Sequence, residues 1–303
     1  MAAAAVLFGT TGTAQAFAPS GAEPLSVGAV RQVVGGTLLA LLGLVWWLRR
    51  GRRLPRWSQK VGWVLLGGAC VLAFQATFFH GTRVNGVAVG TVIALGSSPL
   101  FAGLFDSLRG RRPSAGWVLA TGLAVAGIAL LSGAGGAAAP AADGVLASLV
   151  AGAAYAGYAA ATAILLEQGT GSLPTTAAVL GTSAVLAALL LPFTDNSWVA
   201  EPAGLAVAAW LGVVTVVVAY LLMGTALRRL SAATAITVGL LEPATAALLG
   251  VLLLGERLAP AQLAGAVCVL AGVVIAGTGP GAARDRPGPV VGSRPPSRST
   301  LRR

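Results

Sequence analysis

The chain has 303 residues, 56% apolar and only 10% charged, with a mean hydropathy of +0.84 and a net charge of +11. A soluble globular domain carries about 25% charged residues, so this composition excludes one. The apolar runs are unbroken rather than alternating, which excludes a membrane β-barrel.

Apolar runs of the length needed to cross a ~30 Å hydrocarbon core recur along the chain. They predict an all-α integral membrane protein with ten transmembrane helices, at 2–18, 25–48, 61–79, 86–107, 114–132, 142–166, 173–193, 204–227, 231–254 and 260–278. The first run also imitates a signal peptide, since Ala14-Gln15-Ala16 resembles a cleavage site, but it lacks the basic n-region such peptides carry. Beyond residue 278 the chain is rich in Gly, Pro and Arg without apolar periodicity. Residues 279–303 therefore read as a disordered basic tail that can touch anionic lipid head groups.

The positive charge is distributed by topology. Arg49, Arg50, Arg52, Arg53, Arg56 and Lys60 separate segments two and three. Arg109, Arg111 and Arg112 separate four and five, Arg228 and Arg229 separate eight and nine, and the tail carries the rest. All of these fall on one side of a ten-helix threading; only Arg31, Arg83 and Arg257 fall towards the other. The positive-inside rule then puts both termini in the cytoplasm of a multi-pass plasma-membrane protein. A nucleic-acid partner is not expected; the partners are the lipid bilayer and a small-molecule substrate. Tryptophans 46, 47, 57, 63, 117 and 198 lie near segment ends, as an aromatic belt requires. Cys70 and Cys268 fall in apolar segments and read as packing residues, not as a disulfide or a metal site.

The two halves echo each other. "PLFAGLFDSLRGRRPSAGWVLATGLAVAGI" from Pro99 matches "PATAALLGVLLLGERLAPAQLAGAVCVLAGV" from Pro243. Gly127 pairs with Gly272, and Gly81-Thr82 with Gly224-Thr225. The expected organisation is two five-helix repeats, 1–132 and 142–278. Because five is odd, the second repeat enters the membrane inverted. Inverted repeats place a substrate path at their interface near the midplane.

The second repeat, as "LEPATAALLGVLLLGERLAPAQLAGAVCVLAGVVI", resembles EamA-type members of the drug/metabolite transporter superfamily. The matching positions are Pro243, Gly255, Glu256, Gln262, Gly265 and Gly272, with Arg31 in "VGAVRQVVGG" matching the family's first half. The first repeat has "SLRGRR" where the family often has Leu-Gly-Glu. The resemblance implies a secondary transporter, most often an exporter of amino acids, related metabolites or drug-like compounds.

Glu242 is the residue that most needs an explanation. Its nearest charged neighbours in sequence, Arg229 and Glu256, lie roughly 20 Å away on either side at helical rise. A carboxylate at that depth costs roughly 3 kcal/mol and must face the bundle interior. It either cycles protons and cationic substrates or is a fixed polar clasp between helices. Pro243 cannot donate to the carbonyl of Gly239, nor Pro99 to that of Leu95, where Ser97 and Ser98 are adjacent. Such breaks either line a cavity or merely kink the helix for packing. Arg31 either holds a substrate carboxylate, pairs with an acid as a gate, or snorkels to the interface. Tyr155 and Tyr158, three apart on one face, join Gln15, Gln75 and His80 as further cavity candidates, with packing as the alternative. Glu256 and Arg257 read as stabilising an external hairpin. No cofactor or metal is expected, although proton coupling through Glu242 is. No GxxxxGK motif or His/Asp/Glu cluster supports an ATP-driven pump or a membrane-embedded enzyme, and a non-transporting scaffold is the other alternative.

Overall fold

The computed structural model describes residues 1–50, 60–85, 87–110, 113–131, 141–254 and 259–278. Gly255, Glu256, Arg257, Arg52, Arg53, Arg56, Trp57, Arg111, Arg112 and the residues from 279 on lie outside them. Among the described residues the chain is helical, with no β-strand. Six helices among the described residues are long and apolar enough to cross a membrane, and shorter apolar helices accompany them. The chain is a multi-pass helical membrane protein.

The first half contributes α1 (Ala2–Ala16), α2 (Pro24–Arg50), α3 (Val61–Asn85), α4 (Val87–Leu108) and α5 (Ala115–Leu131). The second begins with α6 (Ala142–Glu167) and α7 (Ser172–Ala188). The expected segment 173–193 is not one α-helix. The α-helix stops at Ala188, and Leu191–Phe193 form a 3-10 turn containing Pro192, which has no N–H to continue the ladder. In the loop that follows, Ser197 N–H donates to Asp195 at 2.9 Å and holds that carboxyl below its usual range.

Trp198, in the same loop, corrects an expectation. It is only 2% exposed, wedged among Val27, Val30 and Val207, and its Nε1 donates to Ser26 Oγ at 2.8 Å. It ties this loop to the start of α2 and is not a belt residue.

Next comes a composite segment: α8 (Pro202–Trp210), a π-helical stretch (Leu211–Val218) and α9 (Ala219–Ala226). Thr215 Oγ1 donates to Leu211 O at 2.6 Å and competes with the ordinary i→i+4 ladder in the widened stretch. Then α10 (Ala232–Gly239), α11 (Leu241–Leu254) and α12 (Pro260–Thr278) complete the bundle.

Glycine lets these helices approach to backbone contact, and two seams show their direction. On α2, Gly36 faces Leu180 and Ala184 while Gly43 faces Ala177. Numbers rise on α2 as they fall on α7, so the pair is antiparallel. Gly181 returns the contact onto Ala40. The α5–α12 seam behaves the same way: Gly127 faces Gly265 and Val269, and Gly272 faces Ala120 and Ala124. Elsewhere α3 and α4 pack on α6, and α1 packs on α9, the π-helical stretch and α11.

A β-carbon at Gly272 would lie 2.5 Å from Ala120 O, and one at Gly127 would lie 2.6 Å from Gly265 O. Since backbone cannot yield as a side-chain tip can, Gly272→Val is expected to destabilise by about 1–3 kcal/mol or more. Gly122 meets nothing within 4 Å, so Gly122→Val is the control. Thermal unfolding in detergent should lower the midpoint for the first variant only.

Candidate functional site

The proline at 243 breaks its helix where its chemistry requires. Its ring crowds, and its missing N–H deserts, the carbonyl four residues earlier, that of Gly239. There α10 ends and α11 begins one residue on, with Leu240 N–H turned back to Thr237 O at 3.1 Å. All of Ala232–Gly239 is buried. Ser231 Oγ accepts from Thr234 N–H at 3.1 Å and caps the start of this short helix.

A second cap comes from the other half of the chain. Asp106, near the end of α4 and only 6% exposed, accepts the N–H of Ala233 at 3.3 Å. A carboxylate suits this position because the first N–H groups of a helix have no internal acceptor. One turn on, Arg109 pairs with Glu167 at the end of α6. The end of α4 thus holds both α10 and α6.

Pro99 behaves differently from Pro243. Helix α4 runs through it without a break. The carbonyl it deserts, Leu95 O, accepts from Ser98 Oγ at 2.8 Å. Ser97 Oγ donates to Ala94 O at 3.3 Å and lies against Gly152 of α6. Sequence symmetry led to two free carbonyls, but in the first half a serine repairs the defect. Ser97 thus sits at the α4–α6 contact, while Ser98 closes the gap that Pro99 opens in its own helix.

Around the remaining break, six helices bring polar and aromatic groups together. Glu242 (α11) lies within electrostatic reach of Arg31 (α2), Tyr155 (α6) and Tyr220 (α9). It is half-buried although central to its segment. Charged and phenolic groups from three other helices thus act on this one carboxyl. Arg31 and Glu242 make no ion pair within 4.0 Å among the described contacts, and Arg31 Nε is buried without a partner. The two charges are near each other yet uncommitted.

The walls are aromatic. Tyr220 meets Phe8 edge-on at 5.0 Å and Tyr158 at 5.4 Å. Tyr155 leans on Phe74 at 5.6 Å, and its hydroxyl lies 4.0 Å from Met223 Sδ and beside Gly239. All three tyrosines of the chain meet here. Tyr220 and Phe8 escaped the sequence reading because each sits in an apolar run. The scarcity of tyrosine was the available signal.

Two expected members are elsewhere. Gln15 lies at the end of α1, seven residues and roughly 10 Å of helical rise beyond Phe8. His80 is exposed and faces Asp143 at 3.5 Å across the α3–α6 ends. Gln75 is buried, with its Oε1 close to Gly28 of α2.

These features define a class: a multi-pass helical membrane protein in which charged and aromatic side chains of several helices converge beside a broken helix. The chain belongs to the EamA-like transporter family, whose model matches residues 1–133 and 142–278. By family it is a membrane transporter. It is similar to the uncharacterized transporter YwfM of Bacillus subtilis (strain 168), with 36% identity over 278 residues covering 91% of this chain and 92% of that protein. It is also similar to the uncharacterized protein PA1977 of Pseudomonas aeruginosa, 31% identical over 254 residues and 84% of each chain. A solved crystal structure, 21% identical, superimposes with a TM-score of 0.74 over 90% of this chain and 93% of its own. That likeness shows the shared fold.

The Asp106 cap generates a test. Asp106→Ala leaves Ala233 N–H without its acceptor and should cost about 1–3 kcal/mol. Asp106→Asn keeps a carbonyl oxygen there and should recover most of the loss. Chemical denaturation of the three proteins measures this; equal loss in both variants would mean that charge, not the hydrogen bond, holds α10.

Proposed function

We propose that this protein is a secondary transporter that exports small metabolites, amino acids or drug-like compounds, across the plasma membrane by alternating access. Ten spans form two inverted five-helix repeats, 1–132 and 142–278, with both termini and the basic tail in the cytoplasm. The glycine seams support this arrangement. A two-fold axis in the membrane plane requires the second and seventh spans, and likewise the fifth and tenth, to meet their own counterparts antiparallel and reciprocally. Gly36 and Gly181, like Gly127 and Gly272, are 145 residues apart and make such reciprocal contacts.

The observation that carries the mechanism is the uncommitted pair, Glu242 and Arg31, beside the break at Leu240. A proton-coupled carrier needs a carboxylate that either a proton or a substrate can occupy, and a permanent salt bridge would deny it both. Pro243 and Gly239 provide the hinge. Tyr155, Tyr158 and Tyr220 provide a wall against which an organic substrate packs, with their rings able to face a cation. Exchange of access then requires α10 to leave Asp106, which makes that cap part of a gate.

Glu242→Gln keeps shape and hydrogen bonding but cannot cycle a proton. In proteoliposomes tested with a substrate panel, this variant should lose gradient-driven accumulation while inserting and folding normally. Wild-type transport by the variant across a pH series would make Glu242 a structural clasp and end the proton-coupled reading.

A further inference from the structure

Gln32 and Gln75 are deeply buried, at 1% and 4% exposure. Both amide atoms of Gln32 and the Nε2 of Gln75 have no hydrogen-bond partner, and neither does Arg31 Nε. Exchanging the nitrogen and oxygen of Gln32 would relieve nothing, because both are unpaired. Buried amides of this kind forfeit hydration without compensation unless something else binds them.

The three side chains share one place in the fold. Gly28 and Gln32 are four apart on α2 and lie on one face; Arg31 precedes Gln32, about 100° round the helix from it, and all three fall within ~6 Å of helical rise. A β-carbon at Gly28 would lie 3.5 Å from Gln75 Oε1, so Gln75 reaches from α3 to that face. Beside Gln75 in sequence, Phe74 meets Tyr155 at 5.6 Å, which joins this polar seam to the aromatic wall. Arg31 joins it to Glu242.

The unpaired groups are mostly donors. Among the fully enclosed atoms, Arg31 Nε and the two amide nitrogens are unpartnered N–H donors, and Gln32 Oε1 is the unpartnered acceptor beside them. Their complement is an anion rich in acceptors, and a carboxylate matches both the guanidinium and the amides. We infer that Arg31, Gln32 and Gln75 form a carboxylate subsite, with the ring of Phe74 or Tyr155 against the body of the ligand and Glu242 on the far side. The inference deepens the transport reading by assigning one end of the substrate a negative charge. Binding itself does not depend on transport.

The test uses the purified full-length chain in detergent with benzoate and benzamide, probes of one shape that differ in charge. Calorimetry should show benzoate binding at least ~10-fold tighter than benzamide, with Gln32→Leu and Gln75→Leu each losing about ten-fold in benzoate affinity. The ligand-free leucine variants should melt no lower than wild type, because an apolar group replaces an unpaired amide. Equal affinity for the two probes, no benzoate binding, or leucine variants that bind like wild type would overturn the subsite. So would leucine variants that melt lower, since the amides would then be structural. Benzoate selectivity in a chain that moves nothing would sink the transport reading and leave the subsite standing. Transport without that selectivity would do the reverse.

Discussion

Inside a bilayer each backbone carbonyl and each charge must find its partner within the protein or in a cavity the protein encloses. Glu242-Pro243 strains that constraint twice in two residues, and much of the bundle is arranged around it. The proline ends α10 at Gly239, so α10 becomes a short buried helix whose first N–H groups need caps of their own. Ser231 supplies one cap and Asp106 the other. The carboxylate, freed from a regular helix on one side, faces Arg31 and the tyrosines.

Asp106 matters because it links the halves. It belongs to α4, and α10 is the first part of the corresponding segment in the second half. Just past the end of α4, Arg109 holds α6 through Glu167. Two polar contacts, both made with a few residues of one helix end, are easier to break together than an apolar seam. By contrast, the α2–α7 and α5–α12 seams bring backbone against backbone through Gly36, Gly127, Gly181 and Gly272. These dry, close contacts are suited to remain fixed while the helices around α10 and α11 move.

Much of this was legible in the sequence. The helical, membrane-spanning character was, because hydrocarbon demands long apolar runs, and the break was, because Pro243 has only one carbonyl to desert. The seventh span reaches Phe193 as expected, but its end turns from α to 3-10 at Pro192, which hydropathy alone cannot punctuate. Pro99 misled because Ser98 returns a hydrogen bond to Leu95, and sequence does not say which way a hydroxyl turns. Trp198 resembled a belt residue by position, yet its indole is enclosed and bonded to Ser26 across 172 residues of chain. Gln32 was hidden beside the more conspicuous Arg31, and Tyr220 inside a run of valine, alanine and leucine. In each case the missing knowledge was tertiary: which face of a helix looks inward.

The central claim is that Glu242 borders a water-reachable path at mid-membrane. Its most direct test is thiol labelling of Glu242→Cys in the full chain with Cys70 and Cys268 replaced by alanine. A charged, membrane-impermeant methanethiosulfonate added to intact cells and to inverted vesicles should modify this position from at least one side. Modification by membrane-permeant maleimide alone, with none by the charged reagent from either side, would mean that Glu242 is sealed in the protein interior and that the path lies elsewhere.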